Sequence, residues 1–136
     1  MSTDDPSRYL VQISDYAKRH YAKKFEKRYA KKQWEVTLRS IFVELARIEE
    51  NLKFKKAETI HSGNSRRIIK YYFRVAQTKD SARSSGNRVV AYVDGDRQIV
   101  TILLIYSKHE ISPPNETAKW QKEVKDNFPA LRDLVK

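Results

Sequence analysis

The segment from Arg66 to Glu110 does most to restrict what this chain can fold into. It reads RRIIKYYFRVAQTKDSARSSGNRVVAYVDGDRQIVTILLIYSKHE and holds three strand-like runs. From Arg66 to Thr78 the residues alternate. Ile69, Tyr71, Phe73 and Val75 fall on one face, and Ile68, Lys70, Tyr72 and Arg74 on the other. A period of two marks a strand, so the first set is expected to face the core. The second set offers Lys70, Tyr72 and Arg74, a cation–aromatic–cation mixture suited to holding a phosphate backbone and stacking a base. Arg88 to Val93 predicts the next strand, Asp94-Gly95 a tight hairpin, and Ile99 to Lys108 a last strand, apolar on both faces and therefore central.

Between the first two of these strands, Lys79 to Asn87 predicts a loop in which Gly86 supplies backbone freedom. The N–H groups and hydroxyls of Ser84 and Ser85 are suited to hydrogen-bond a phosphate there. The last strand ends in Tyr106-Ser107-Lys108-His109-Glu110. Polar side chains at such a strand end are held by a rigid scaffold and open to a ligand.

The flanking segments are expected to support this sheet. Met1 to Ser7 predicts a loose terminus. Tyr9, Val11 and Ile13 alternate as a short strand, and Ser14 or Asp15 is placed to cap a helix beginning at Tyr16. Tyr16 to Lys32 predicts a basic helix with Tyr21, Phe25 and Tyr29 along one stripe. Lys18, Arg19, Lys23, Lys24, Lys27, Arg28, Lys31 and Lys32 crowd around that stripe. Such like charges repel unless phosphates or an acidic protein segment neutralise them. Gln33 to Asn51 predicts a second helix whose seam is Trp34, Leu38, Ile41, Leu45 and Ile48, widened by Phe42. The two helices are expected to form a hairpin on the sheet, with Trp34 in the core. Leu52 to Ser65 is polar and reads as irregular, with a short turn or strand around Phe54 and a turn at Gly63-Asn64. After Pro113-Pro114, a short helix from Asn115 or Thr117 to about Asn127 carries Trp120 and Val124 on one face. Residues 128–136 are expected to form a tail packing through Leu131 and Leu134.

The 136 residues suit one domain, 1–136, and at 40% hydrophobic they can bury a core. Lys and Arg number 28 against 17 Asp and Glu, a net charge of +11, which favours a polyanionic partner, nucleic acid before membrane. Without cysteine there is neither a disulfide framework nor thiol catalysis. The spacing of His20, His61 and His109 matches no metal motif, and no cofactor is expected. No apolar run approaches the roughly 20 residues that span a bilayer, and the acidic opening Met-Ser-Thr-Asp-Asp-Pro is unlike a secretory leader, so a cytoplasmic protein is expected.

The string Arg83-Ser84-Ser85-Gly86-Asn87-Arg88-Val89-Val90-Ala91-Tyr92 enters a strand, and a tight hairpin, an apolar strand and Tyr106-Ser107-Lys108-His109-Glu110 come after it in turn. In that order the motifs resemble the RelE/ParE toxins of type II toxin–antitoxin systems, over roughly residues 9–110. The resemblance implies an α+β fold, with an N-terminal strand and helical hairpin packed on a mainly antiparallel sheet and a short C-terminal helix. RelE-like members cut messenger RNA on the ribosome without a metal. The 2′-hydroxyl attacks the adjacent phosphate, and an antitoxin segment wraps and neutralises the domain. The alternatives are a ParE-like gyrase poison and a non-catalytic basic RNA-binding domain.

By position, the resemblance assigns Lys79 and Arg83 to the basic loop, Arg88 to the scissile phosphate and His109 to the acid that protonates the leaving 5′-oxygen. Lys70, Tyr72, Arg74, Ser84, Ser85, Tyr92, Tyr106 and Lys108 would contact RNA. An acidic antitoxin would dock on the basic helix, residues 16–32. The chemistry fits those roles, since guanidinium groups stabilise charge building on a phosphate and imidazole exchanges protons near neutral pH. The family's tyrosine shortly after the last strand has no counterpart in Ile111-Ser112-Pro113-Pro114-Asn115, which leaves Tyr92 or Tyr106 for that part. Ser81 replaces a second loop cation, and Glu110 and Asp80 are the candidate carboxylate bases.

Overall fold

The computed structural model describes residues 8–135, so the expected loose terminus, 1–7, lies outside the described residues. Its centre is a five-stranded sheet in the order β1-β5-β4-β3-β2. The strands are β1 (Leu10–Ile13), β2 (Ala57–Gly63), β3 (Arg66–Tyr72), β4 (Arg88–Asp94) and β5 (Ile99–Tyr106). β1 runs parallel to β5 and every other pair is antiparallel. The chain is thus α+β with a mainly antiparallel sheet and a short C-terminal helix.

Helices cover the sheet face that carries Arg67, Ile69, Tyr71 and Phe73. Ser14 caps the first of them, its hydroxyl accepting from the Ala17 amide at 3.1 Å. The helical stretch passes through α1 (Asp15–Ala17), a π-wound turn (Lys18–Ala22) and α2 (Lys23–Arg28). It stops four residues short of the expected Lys32, because Tyr29 and Ala30 turn extended (ψ 157° and 143°) and drop the chain into α3 (Lys31–Ala46). Tyr21 and Phe25 are buried as the stripe requires, and Phe25 stacks on Trp34 at 4.6 Å between ring centres. The second predicted helix breaks at Arg47, whose φ of −112° and ψ of 44° separate α3 from α4 (Ile48–Lys53). Its seam still faces inward, with Trp34, Ile41, Leu45 and Ile48 buried.

Two further expectations are corrected. The segment expected to be irregular is β2, paired along β3 with a bulge between Thr59 and His61. As an edge strand with Glu58, Thr59, Ser62 and Gly63 exposed, it shows no apolar alternation to read. The face carrying Ile68, Lys70 and Tyr72 is also not open. Ile68, Val90 and Leu104 make its centre apolar, and α5 (Glu116–Asn127) covers it. Trp120 and Val124 of α5 are fully buried, and His61 packs edge-on against Trp120. Leu131 and Leu134 bury the tail, as their pattern predicts. Glu123 of α5 accepts hydrogen bonds from Tyr16 and Tyr21, tying the cover to the helix layer around the β1 edge. β3 ends at Tyr72, six residues before the expected Thr78, although Phe73 and Val75 remain buried.

Candidate nucleic-acid interface

Register places Tyr72, Arg88 and Tyr106 side by side across β3, β4 and β5. The Arg88 guanidinium lies 4.5 Å from the centre of the Tyr72 ring and that of Arg83 4.2 Å from it. These are cation–π distances, so one tyrosine gathers the loop's Arg83 and the strand's Arg88. Arg88 also holds the loop by hydrogen bonds. Its Nη1 donates to the Ala82 and Asn87 carbonyls at 3.1 and 2.9 Å, and its Nη2 to the Arg83 carbonyl at 2.7 Å. Two of its five guanidinium N–H groups make no hydrogen bond among the described residues. Arg83 is exposed and donates to the Lys55 carbonyl at 2.8 Å. Tyr106 is fully buried and donates to Glu116 at 2.7 Å; burial, and then that carboxylate, push its hydroxyl well above the usual tyrosine range. Tyr72 donates to Glu58, and Lys70 pairs with Glu116 at 3.7 Å.

The loop serines divide into two roles. Ser84 is exposed and shares a 2.8 Å contact with the Ser81 hydroxyl. Ser85 is buried, and its hydroxyl sits between the Phe73 and Ala82 carbonyls while accepting from the Asn87 amide. Its bonds fasten the loop to the end of β3. At Gly86, φ is +79°, and a Cβ there would lie 2.8 Å from Cβ of Lys108. Only glycine permits both the backbone turn and the close approach to the end of β5.

That approach encloses a cleft of about 210 Å³. Lys108 and His109 line one side, Asp80 and Asn87 the loop side, and Tyr29 the mouth of the α2–α3 connection. Lys108, His109 and Asp80 are exposed. The His109 side chain has no hydrogen-bond partner among the described residues, and its backbone N–H is pinned by the Ser107 hydroxyl at 3.1 Å. Glu110 has a different task. It accepts from the Ser107 amide and hydroxyl and pairs with Arg28 at 3.0 Å, leaving its side chain 6% exposed. Burial pushes the Glu110 carboxyl up, but Ser107 and Arg28 together hold it below the usual carboxylate range. Of the two candidate carboxylates, Asp80 therefore shares the cleft with His109, and Glu110 braces the turn beneath it.

The remaining site residues are spread out. Arg88 is not on the wall of the His109 cleft. Lys79 is exposed beside Asp80, and Arg74 is exposed beyond the end of β3. Tyr92 lies at the opposite end of the sheet, where its hydroxyl accepts from Arg66 Nε at 3.0 Å. Sequence reasoning missed Tyr29, Asn87 and Arg28 as site residues. Tyr29 and Arg28 sit on another element far away in sequence, and their place depends on where α2 ends. All eight cations of residues 18–32 are exposed, Arg28 being the one that reaches Glu110. No described helix is long and apolar enough to cross a membrane.

No protein-family model matches this chain, and no curated protein matches it. Among solved structures, the crystal structure of an archaeal RelE–RelB complex from Pyrococcus horikoshii OT3 aligns at 15% identity with a TM-score of 0.48, over 74% of this chain and 96% of the matched one.

Proposed function

We propose that the chain is a metal-independent endoribonuclease that cuts messenger RNA, acting as the toxin of a toxin–antitoxin pair. One observation carries the reading. A histidine whose side chain has no hydrogen-bond partner among the described residues, an aspartate and a lysine line one small cleft at a rigid strand end. In that cleft Asp80 takes the proton from a ribose 2′-hydroxyl, and the 2′-oxygen attacks the adjacent phosphorus. The bond to the 5′-oxygen breaks as His109 supplies that oxygen with a proton. The products are a 2′,3′-cyclic phosphate and a free 5′-hydroxyl. Lys108 and Lys79 stabilise the charge on the non-bridging oxygens, and Arg88 contributes through the loop it organises and its two remaining N–H groups. The toxin assignment rests on the motif order from Arg83 to Glu110, and the expected antitoxin is an acidic segment neutralising the cations of residues 16–32.

The engagement of Arg83 and Arg88 with Tyr72 and main-chain carbonyls favours a second reading, an RNA-binding domain without chemistry. Purified protein added to a cell-free translation reaction separates the two. Cleavage should leave cyclic-phosphate ends and should vanish on a message with 2′-deoxyribose at the cut position. Cleavage that persists without the 2′-hydroxyl would sink the nuclease mechanism, and tight binding with intact RNA would establish the second reading. Growth arrest with intact RNA and stalled replication would point instead to gyrase.

A further inference from the structure

A second and larger cleft, of about 550 Å³, opens on the other side of the same loop. Its floor is Ile41 and Phe73, both buried, and its walls are α3 and the chain leaving β3. Lys55, Lys56, Arg74 and Arg83 stand at its rim, and the Arg83–Lys55 hydrogen bond joins the two sides of the mouth. Glu44 is the acidic residue on its wall, and Lys56 lies 3.9 Å from it.

Tyr71 contributes a hydroxyl to the wall of the cleft. The residue is 6% exposed and lines the cleft, yet its hydroxyl has no hydrogen-bond partner among the described residues. Unlike the indole N–H groups of Trp34 and Trp120, that hydroxyl is not sealed from solvent, so it remains available to a molecule in the cleft. Burial, and then the Glu44 charge, raise the Tyr71 hydroxyl above the usual tyrosine range, so it stays a proton donor at neutral pH. The cleft therefore offers an apolar floor, hydroxyl donors from Tyr71 and Ser40 in its wall and a cationic rim. Those features match a heterocyclic base carrying a phosphate, and the volume falls in the range of small-ligand pockets.

We infer that this cleft holds a nucleotide of single-stranded RNA next to the one placed at His109, the base reaching Tyr71 and its phosphate lying between Arg74 and Arg83. The inference rests on the proposed RNA-directed function for its substrate class. The geometry links the clefts directly: Ala82 and Arg83 line this one, while Asp80, Ser85 and Asn87 line the other. A strand crossing the loop meets both.

Binding of a fluorescent 2′-O-methyl oligoribonucleotide, which cannot be cleaved by 2′-hydroxyl attack, tests this apart from catalysis. Tyr71→Phe keeps the ring and removes the donor, and should weaken binding by roughly 2- to 13-fold, the equivalent of one net hydrogen bond. Ser40→Glu puts a carboxylate on the cleft wall, whereas Val43→Glu makes a similar charge change on an exposed position of the same helix outside it. Ser40→Glu should weaken binding several-fold more than Val43→Glu. Equal binding by Ser40→Glu and Val43→Glu, with Tyr71→Phe unchanged from wild type, would overturn the assignment. So would adenosine or uridine monophosphate binding as tightly as the oligonucleotide, since the ligand would then be a free nucleotide. Because the probe is inert, a failure of the nuclease reading leaves each outcome interpretable.

Discussion

Gly86 shows how one residue sets the geometry of the site. Its positive φ and its contact with Lys108 bring the loop against the end of β5, and the His109 cleft exists because of that contact. Gly86→Ala adds a Cβ to a backbone that disfavours it, at a cost of about 1–2 kcal/mol before the clash with Lys108 is counted. Urea unfolding should show that loss, and RNA cleavage should fall further than stability does because the cleft is displaced. Ser85 works from the other side of the loop. Ser85→Ala leaves the Phe73 and Ala82 carbonyls and the Asn87 amide short of a partner and should cost about 1–3 kcal/mol in the same measurement. Glu110 adds a pH dependence. Its carboxyl lies below the ordinary range in the folded protein, so its stabilisation is complete above the unfolded value, about 4.3, and is lost as pH falls through the folded value. The stability gap between wild type and Glu110→Gln should therefore be widest near neutral pH and shrink in acid. A gap that stays constant with pH would show that the Arg28–Glu110 pair does not act as described.

At the scale of elements, α5 decides which surface is available. Trp120 and Val124 seal the face carrying Ile68, Val90 and Leu104, and Glu116 holds Tyr106 and Lys70 beneath it. Trp120→Ala should cost about 3–5 kcal/mol in thermal or urea unfolding, as for other large core truncations. Hydrogen exchange should then quicken first in α5. How much of this is legible depends on the pattern each element leaves in the sequence. β3, β4 and β5 announce themselves because they are inner strands with strong alternation or continuous apolar runs, and Asp94-Gly95 marks their hairpin. β2 leaves no such mark, since an edge strand needs only one good face. The Ile68, Lys70, Tyr72 face reads as solvent-facing in the sequence, although Ile68 belongs to the same set. An alternating strand shows that its two faces differ, and a helix about 50 residues later determines whether the second is covered. The site divides in the same way. His109 is visible at a strand end, and Asp80 and Glu110 are both visible as carboxylates. Choosing between them requires the Arg28 bridge, which depends on where α2 stops.

For the whole molecule, charge is the dominant long-range property. A net +11 with the cations of residues 18–32 exposed creates a field that draws in polyanions from any direction. RNA binding should weaken steeply with salt, and each phosphate contact removed should lessen the slope of log affinity against log salt by about 0.7 for a single strand. Reversing Lys23, Lys24 and Lys27 together should slow association and leave cleavage of bound RNA nearly unchanged, which stopped-flow mixing followed by single-turnover kinetics would resolve. The central claim, that the chemistry belongs to the His109 cleft, is tested most directly by the single-turnover cleavage rate of an end-labelled message under saturating protein, for wild type, His109→Ala and Asp80→Asn. Each variant should be slower by about 10²- to 10⁴-fold, the usual worth of a general acid or base. Cleavage by both variants at the wild-type rate would place the chemistry elsewhere on the molecule.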